Sequence, residues 1–347
     1  MSSNYTGNPT ATQSPGSQPA PGVAPIVTLP ADGDPLAASS VAQMAKEAAD
    51  YIAYLMTNVA VQFGDGSDGN ATIDGVATVA WASKVGTVYT MTRDCYCKNL
   101  TVTGAGVILK PAGYRVFASG TVTTASSGSI SWDGNAAVNQ TAGAASATGS
   151  LAGGSAGGNG GAASSGNGSN GTVAATSFGG GGGNGGLAGG TGGTGGTASG
   201  PAAYMGSPRA YSASTVGYLV GSPSAPAVLA ISGGAGGGGG GGGSTGVGGG
   251  GGGGGGLGII ACRALALAAA GDIHAAGGAG AAQSGGINGG GGGGGGGGTL
   301  ILVYVSKGGT TFSAATNCAG GAFGAGNGTG ASGVVGSNGT VIEIAAV

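Results

Sequence analysis

The chain has 347 residues with a net charge of −2; 91 of them are glycine, and only nine are basic and eleven acidic. Glycine has no side chain to bury and loses the most backbone entropy on folding, which excludes a conventional apolar core as the main source of stability. The basic residues are scattered singly, which excludes the clustered positive patch that nucleic acid binding requires.

The N-terminal segment, residues 1–36, contains seven of the twelve prolines. Such a segment favours polyproline II over helix. We interpret it as an extended attachment arm that lies against another subunit or an assembly surface. The first twenty residues lack both a basic start and an apolar stretch, so we expect no secretory signal. The apolar runs have strand length, so we expect no membrane insertion.

A helix is predicted within residues 37–62. Its apolar positions alternate in steps of four and three, which is a heptad spacing. The predicted seam consists of Val41, Ala45, Ala48, Ile52, Leu55 and Val59. One interpretation is an amphipathic helix packed on its own chain. The other is a short oligomeric bundle, most simply a homotrimer, at the base of a fibre.

Residues 63–137 have the pattern of a small β domain. Short β-branched or aromatic stretches alternate with Gly, Asn and Ser, which is typical of strands joined by turns. The predicted strands are 85–92, 100–102, 106–110, 114–118 and 121–124. Both tryptophans and five other aromatic residues fall here, so we expect an ordinary side-chain core in this region.

Residues 138–347 form a Gly-rich region with uninterrupted glycine at 179–183, 236–243, 248–256 and 289–298. Polyglycine II helices, which resemble polyproline II, can approach closely and hydrogen-bond side by side. Apolar stretches at 257–262, 300–305 and 340–344 predict strands. We therefore predict a mainly β fold with polyglycine II helices, arranged as a short-strand solenoid or sandwich.

Internal similarity supports a repeated unit. Two glycine runs lead into apolar strands, with Leu257 and Leu300 separated by 43 positions. The pattern G-x-I-x-x-x-G also occurs at both 128–134 and 271–277. The chain thus reuses a unit of glycine run, apolar strand, second strand and small-residue turn.

A more apolar insertion, residues 204–231, interrupts the glycine. It contains Tyr204, Met205, Tyr211 and Tyr218. Among glycines such an insertion is a candidate exposed loop or tip, and a local patch of core is the alternative.

Several segments carry a family resemblance. They are DGDP at 32–35, FGDGSDG at 63–69, MTRD at 91–94, KNLTV at 98–102 and AGYRVF at 112–117. Together with the glycine-run half, they resemble Gly-rich tail-fibre and spike proteins of tailed bacteriophages. The resemblance implies a virion location, trimerisation and contact of the 1–36 arm with other virion proteins. It also implies binding of a host receptor through variable loops, here 204–231, and it implies no catalytic residues.

No residue pattern points to chemistry. Cys95 and Cys97 would share one face of a strand as buried small side chains, although a long-range disulfide stays open. His274 has no obvious partner. Asp65 and Asp68 fit turn chemistry better than a calcium loop, because their spacing fails the D-x-[DN]-x-[DN]-G pattern. We expect no metal, no cofactor and no enzyme activity.

Three hypotheses follow. The leading one is a virion fibre or spike that displays a rigid Gly-rich domain for host attachment. The second is a purely architectural capsid-decorating or baseplate protein. The third is an ice-binding or extracellular matrix protein, for which Thr191, Thr194 and Thr197 supply a brief regular row.

Overall fold

The computed structural model describes residues 63–146, 149–174, 179–197, 232–269, 272–308 and 311–345. Three predicted features lie outside these ranges: the Pro-rich arm, the heptad helix with its seam, and the insertion at 204–231.

The described chain contains twelve strands and one short helix. The helix, α1 (Ala314–Asn317), is capped by Ser313, whose side chain accepts from the amide of Thr316. In chain order the strands are β1 (Asn70–Ile73), β2 (Ala82–Val85), β3 (Val88–Met91), β4 (Cys95–Cys97), β5 (Asn99–Thr103), β6 (Ile108–Lys110), β7 (Val116–Ala125), β8 (Ser129–Ser131), β9 (Leu257–Ala266), β10 (Ile273–His274), β11 (Thr299–Lys307) and β12 (Thr340–Ala345).

The strands form two sheets. The first has the order β1-β5-β7-β9-β11-β12, with β4 also paired to β7, and the second has the order β10-β8-β6-β3-β2. Strands β2 and β3 pair antiparallel, whereas all other pairings between the described strands are parallel. From β5 to β11 the chain alternates between the sheets, so each strand pairs with the next one in its own sheet.

Side chains from both sheets share one core. Tyr89, Leu109 and Ile130 of the second sheet cluster with Leu100 and Ile260 of the first, and all five are buried. A second cluster uses the opposite face of the first sheet, so β9 and β11 are buried on both faces along their first six residues. Strands buried on both faces read as continuous apolar runs, which is why these stretches stand out in the sequence.

The prediction of a mainly β protein is confirmed. The predicted strands at 100–102, 257–262, 300–305 and 340–344 fall within β5, β9, β11 and β12. The single strand predicted at 85–92 is wrong, because Gly86 adopts φ +59 and turns the chain between β2 and β3. Segments 114–118 and 121–124 belong largely to one strand, β7, with a pairing irregularity between Ala118 and Thr121.

Residues that match in the repeated sequence patterns lie opposite or nearly opposite each other in paired strands. In the G-x-I-x-x-x-G match, Ile273 aligns with Ile130, and these two residues are paired between β10 and β8. The second match is displaced by one residue, because Leu257 pairs with Thr299 rather than with Leu300. Repeated sequence units thus lie next to each other in the sheets.

Glycine segments continue from the ends of the strands. Three runs, 233–243, 248–256 and 289–298, are completely buried, and we call them the inner runs. The runs 248–256 and 289–298 lead directly into β9 and β11. In the described chain, nine peripheral segments lie beside them: 132–137, 141–146, 151–161, 166–173, 179–186, 190–197, 275–283, 319–326 and 330–339.

Backbone hydrogen bonds in the inner runs repeat every three residues. The amides of Gly249, Gly252 and Gly255 donate to run 289–298, each at 2.9 Å. The residue before each of these three glycines donates its amide to segment 151–161. The residue after each of them donates its amide to the chain that follows β8. Three residues per turn is the repeat of an extended polyproline-type helix.

The carbonyl groups of run 248–256 accept from further segments, namely 233–243, 275–283 and 141–146. This run therefore has a hydrogen-bonded neighbour on each of six sides. Each of the other two inner runs also has six hydrogen-bonded neighbours, and the three inner runs hydrogen-bond to one another. Backbone bonds join the peripheral segments into a ring around them, for example from Gly171 to Thr194 and from Gly336 to Gly321. We call the inner runs and this ring the glycine lattice.

The close approach of the segments requires glycine. A Cβ atom on Gly252 would lie 1.9 Å from the carbonyl oxygen of Gly278, and one on Gly293 would lie 2.0 Å from that of Gly183. Peripheral segments instead place a larger residue at every third position or so, as with the exposed Thr191, Thr194 and Thr197. The inner runs are glycine throughout apart from Ala235, whereas the ring segments, except for glycine at 179–183, carry other residues at intervals of about three.

The sheets and the lattice are parts of one compact unit, Gln62–Val347. Strand β7 from the side-chain-rich region pairs with β9 from the Gly-rich region. The division at 137/138 is therefore a change in composition within shared sheets.

Candidate functional site

Six turns lie together at the end of the glycine lattice remote from the sheets. They connect successive segments at 138–140, 162–165, 187–189, 244–247, 284–288 and 327–329. We call them the apical surface. A run of nine residues such as 248–256 separates this surface from the sheets by roughly 28 Å at a rise of about 3.1 Å per residue.

Hydrogen bonds between turns hold the apical surface in place. Thr245 accepts from the amide of Ile287 at 3.2 Å, and Asn288 accepts from the amide of Thr329 at 3.0 Å. The amide of Ser165 donates to Gly243 at 3.0 Å. Neighbouring turns are therefore fixed relative to one another by bonds from backbone amides to side-chain and backbone oxygens.

The apical surface also has an unusual backbone conformation. Asn139, Ser164, Ser165 and Asn288 have φ between 52 and 64, a left-handed region that costs a residue with a Cβ atom. Such conformations are retained when the surroundings enforce them, and they concentrate at functional positions. Here the lattice supplies those surroundings.

The chemistry of the apical surface is uncharged. Its six turns contain only amide, hydroxyl and aliphatic side chains with glycine and alanine. Three large aliphatic side chains are exposed there, Val138, Leu187 and Ile287, at 66%, 61% and 58% of their area. Aliphatic groups beside fixed hydroxyl and amide groups suit contact with a protein or glycan surface rather than with an ion.

The sequence prediction placed receptor contacts elsewhere, at Tyr204, Met205, Tyr211 and Tyr218, which lie outside the described residues. The segments on either side of that insertion are described. Gly196 donates to Gly236, and Ser232 accepts from the hydroxyl of Thr299 at the start of β11. The chain therefore leaves and re-enters the lattice at the end next to the sheets, opposite the apical surface.

Sequence reasoning missed the apical surface, although a signal was present. The short polar stretches between glycine segments, such as Ser244-Thr245-Gly246 between two runs, are turn sequences. Only the pairing of the segments in space reveals that six such turns share one end.

The four cysteines lie buried as free thiols, as the same-face interpretation of Cys95 and Cys97 predicted, and no disulfide forms. Burial raises the pKa of Cys262 and of Cys318 to about 12, and it raises that of Cys95 well above its usual value. These thiols stay protonated at neutral pH and are therefore poor nucleophiles.

Histidine and aspartate find partners that the sequence did not reveal. His274 Nδ1 lies 2.8 Å from Asp133 Oδ1, which corrects the expectation of an unpartnered histidine. Asp65 accepts from the amide of Ser67, as turn chemistry predicted. Asp68 accepts two hydrogen bonds from the Arg93 guanidinium, at 2.6 and 3.0 Å.

No cluster of three His, Cys, Asp or Glu residues in the described part of the chain could hold a metal ion. Nor does that part of the chain contain a helix of the length and apolarity needed to span a bilayer.

Comparison with known proteins gave no match among family models, curated proteins or solved structures. The function of the apical surface is therefore inferred from its geometry alone.

Proposed function

We propose that this chain is a virion structural protein of the tail-fibre or spike type, which presents the apical surface to a receptor on the host cell. The observation that carries the proposal is the closed ring of segments around three inner runs, with strained, uncharged turns at the far end. A lattice of this kind is rigid because its inner backbone groups are paired. Rigid display lowers the entropy lost on binding.

The proposal includes three finer structural statements. The glycine segments are polyglycine II helices, which their three-residue hydrogen-bond repeat supports. The strands form a solenoid, which the alternation of the parallel strands from β5 to β11 between two sheets supports. The chain assembles as a homotrimer through the heptad seam, attached to other virion proteins by residues 1–36.

Location and copy number test the virion role. Particles of the phage that encodes the chain would be purified, labelled with gold-tagged antibody, and analysed by quantitative mass spectrometry. Three copies at a tail tip agree with a fibre or spike. Many copies on the shell would instead support a decorating protein, and absence from the particle would refute both.

Competition tests the attachment role. Recombinant protein should block phage adsorption to host cells, and Leu187→Ser with Ile287→Ser should weaken this block by about tenfold, equivalent to 1.4 kcal/mol. Val85→Ser is the matched control, because Val85 is 79% exposed on β2, away from the turns. Equal loss in the control, or no loss in the apical variant, would count against the apical surface.

A second function, ice binding, is favoured by one observation. Thr191, Thr194 and Thr197 are all exposed on one peripheral segment, about 9 Å apart along an extended threefold helix. Freezing-point hysteresis that disappears in Thr194→Val would support ice binding. No hysteresis at millimolar protein would remove that function.

A further inference from the structure

A cleft opens where the second sheet meets the glycine lattice. Its volume is about 130 Å³, close to the roughly 150 Å³ of a cavity that holds one six-membered ring. The side chains that matter for binding are Thr90, Lys110, Ser131, Trp132, Asp133 and Asn135.

Opposite charges line this cleft. Within the described part of the chain, Lys110 forms no ion pair. Asp133 Oδ1 contacts His274 Nδ1 at 2.8 Å and accepts from the amide of Ala276 at 2.6 Å. Burial raises the pKa of Asp133, but the hydrogen bonds, first that of His274, outweigh burial and hold it below its usual value. A carboxylate oxygen can accept more than one hydrogen bond, so Asp133 keeps acceptor capacity for a ligand.

In the described chain, a tryptophan whose buried indole N–H is unpaired lines the cleft. Trp132 is 4% exposed, and its indole N–H has no hydrogen-bond partner among the described residues. A buried donor without a partner is destabilising. Trp132 lines the cleft, and its ring packs against Gly258 of β9.

These groups define what the cleft accepts. Lys110 donates, whereas Asp133 accepts, so a ligand must both accept and donate. Lys110 attracts an anion that Asp133 repels, and Asp133 attracts a cation that Lys110 repels, so the pair favours neither sign of charge. A hydroxyl group satisfies both requirements without charge. We propose that the cleft binds one uncharged, hydroxyl-bearing ring of monosaccharide size, as a site separate from the apical surface.

The indole N–H signals provide a direct test, because the chain has only two tryptophans. The ¹H–¹⁵N spectrum of the full chain would be titrated with glucose, galactose and N-acetylglucosamine, and separately with sodium acetate and ethylammonium chloride. The Trp132→Phe variant assigns the two signals. We expect at least one sugar to shift the Trp132 signal saturably at millimolar concentration, with Trp81 unchanged and neither ion effective.

Two variants test the polar groups. Lys110→Met and Asp133→Asn should each weaken the sugar titration at least fivefold, whereas Lys98→Met, a change at an exposed lysine outside the cleft, should not. Lys110 is exposed, so its variant remains informative even if Asp133→Asn unfolds. The proposal is overturned if none of the three sugars shifts Trp132 up to about 100 mM, or if the Lys110 and Lys98 variants bind alike.

Discussion

Leu100 on β5 and Gly252 in the glycine lattice are both buried, but they are held by different groups. Leu100 packs its side chain between two sheets, with Tyr89 and Leu109 in the same cluster. Gly252 has no side chain, and its amide and carbonyl bond to Gly293 and Gly237 at 2.9 and 2.8 Å. Packing of side chains tolerates small volume changes, whereas close backbone packing tolerates none. The comparison shows that one chain can bury its interior in two ways.

The largest effect is expected from a side chain inserted into the lattice. Gly252→Ala would place Cβ 1.9 Å from the Gly278 oxygen, and backbone atoms cannot rotate away. We expect a loss of at least about 3 kcal/mol in the free energy of unfolding, at the upper end for overpacking. Urea denaturation measures it. Thr194→Ala, at an exposed position of the ring, is the control, and an equal stability of both variants would refute the lattice account.

Truncation of a side chain in the core between the sheets should lower the free energy of unfolding somewhat less than the change in the lattice. Leu100→Ala removes buried methyl groups between the sheets and is expected to cost about 2–5 kcal/mol in urea denaturation. The matched change at a 79% exposed position, Val85→Ala, should cost under about 0.5 kcal/mol. If both changes have the same effect, the sheets contribute little to stability.

Low pH should destabilise the sheets before it destabilises the glycine lattice. Hydrogen bonds from Arg93, opposed by burial, lower the pKa of Asp68, so its stabilisation is present above its unfolded pKa near 4 and is lost as pH falls through the folded value. The inner runs contain no ionisable side chain. Protection factors from hydrogen exchange, corrected for the intrinsic exchange rate at each pH, should therefore fall around β1 and β4 before they fall in the inner runs as the pH is lowered to 3. Asp68→Asn should reduce this pH dependence, and a uniform loss of protection would contradict it.

The smallest effect concerns the apical surface. Ser165 has φ +64, so Ser165→Gly should relieve strain and stabilise the protein by about 1 kcal/mol. Ser244→Gly is the matched control, because Ser244 is exposed on the same surface without a left-handed φ, and it should be neutral or destabilising. Thermal unfolding measures both. A stabilisation in the control alone would refute the strain argument.

The strands were largely predictable because their signals are local. The apolar stretches at β9 and β11 are buried on both faces and that at β12 on one face, and their composition identifies them without knowledge of their partners. The error at 85–92 has a local cause as well. Gly86 permits a turn that the β-branched neighbours on each side conceal.

The candidate site was less predictable, because it depends on contacts between distant residues. His274 and Asp133 are 141 positions apart, and no spacing rule connects them. Likewise, the six apical turns come from separate parts of the chain. The predicted receptor residues at 204–218 were chosen by composition, whereas the apical surface is set by position in the lattice.

The sequence by itself determined which residues can enter the lattice and which can form strands. Uninterrupted glycine marks segments that admit neighbours on all sides, and the apolar stretches mark strands, because both properties belong to individual residues. Tertiary structure alone decided which segments are neighbours, that three runs lie inside a ring, and that the polar turns share one end. Glycine carries no side chain to specify a partner, and the pairing of β9 with β11 places the two inner runs that lead into these strands side by side.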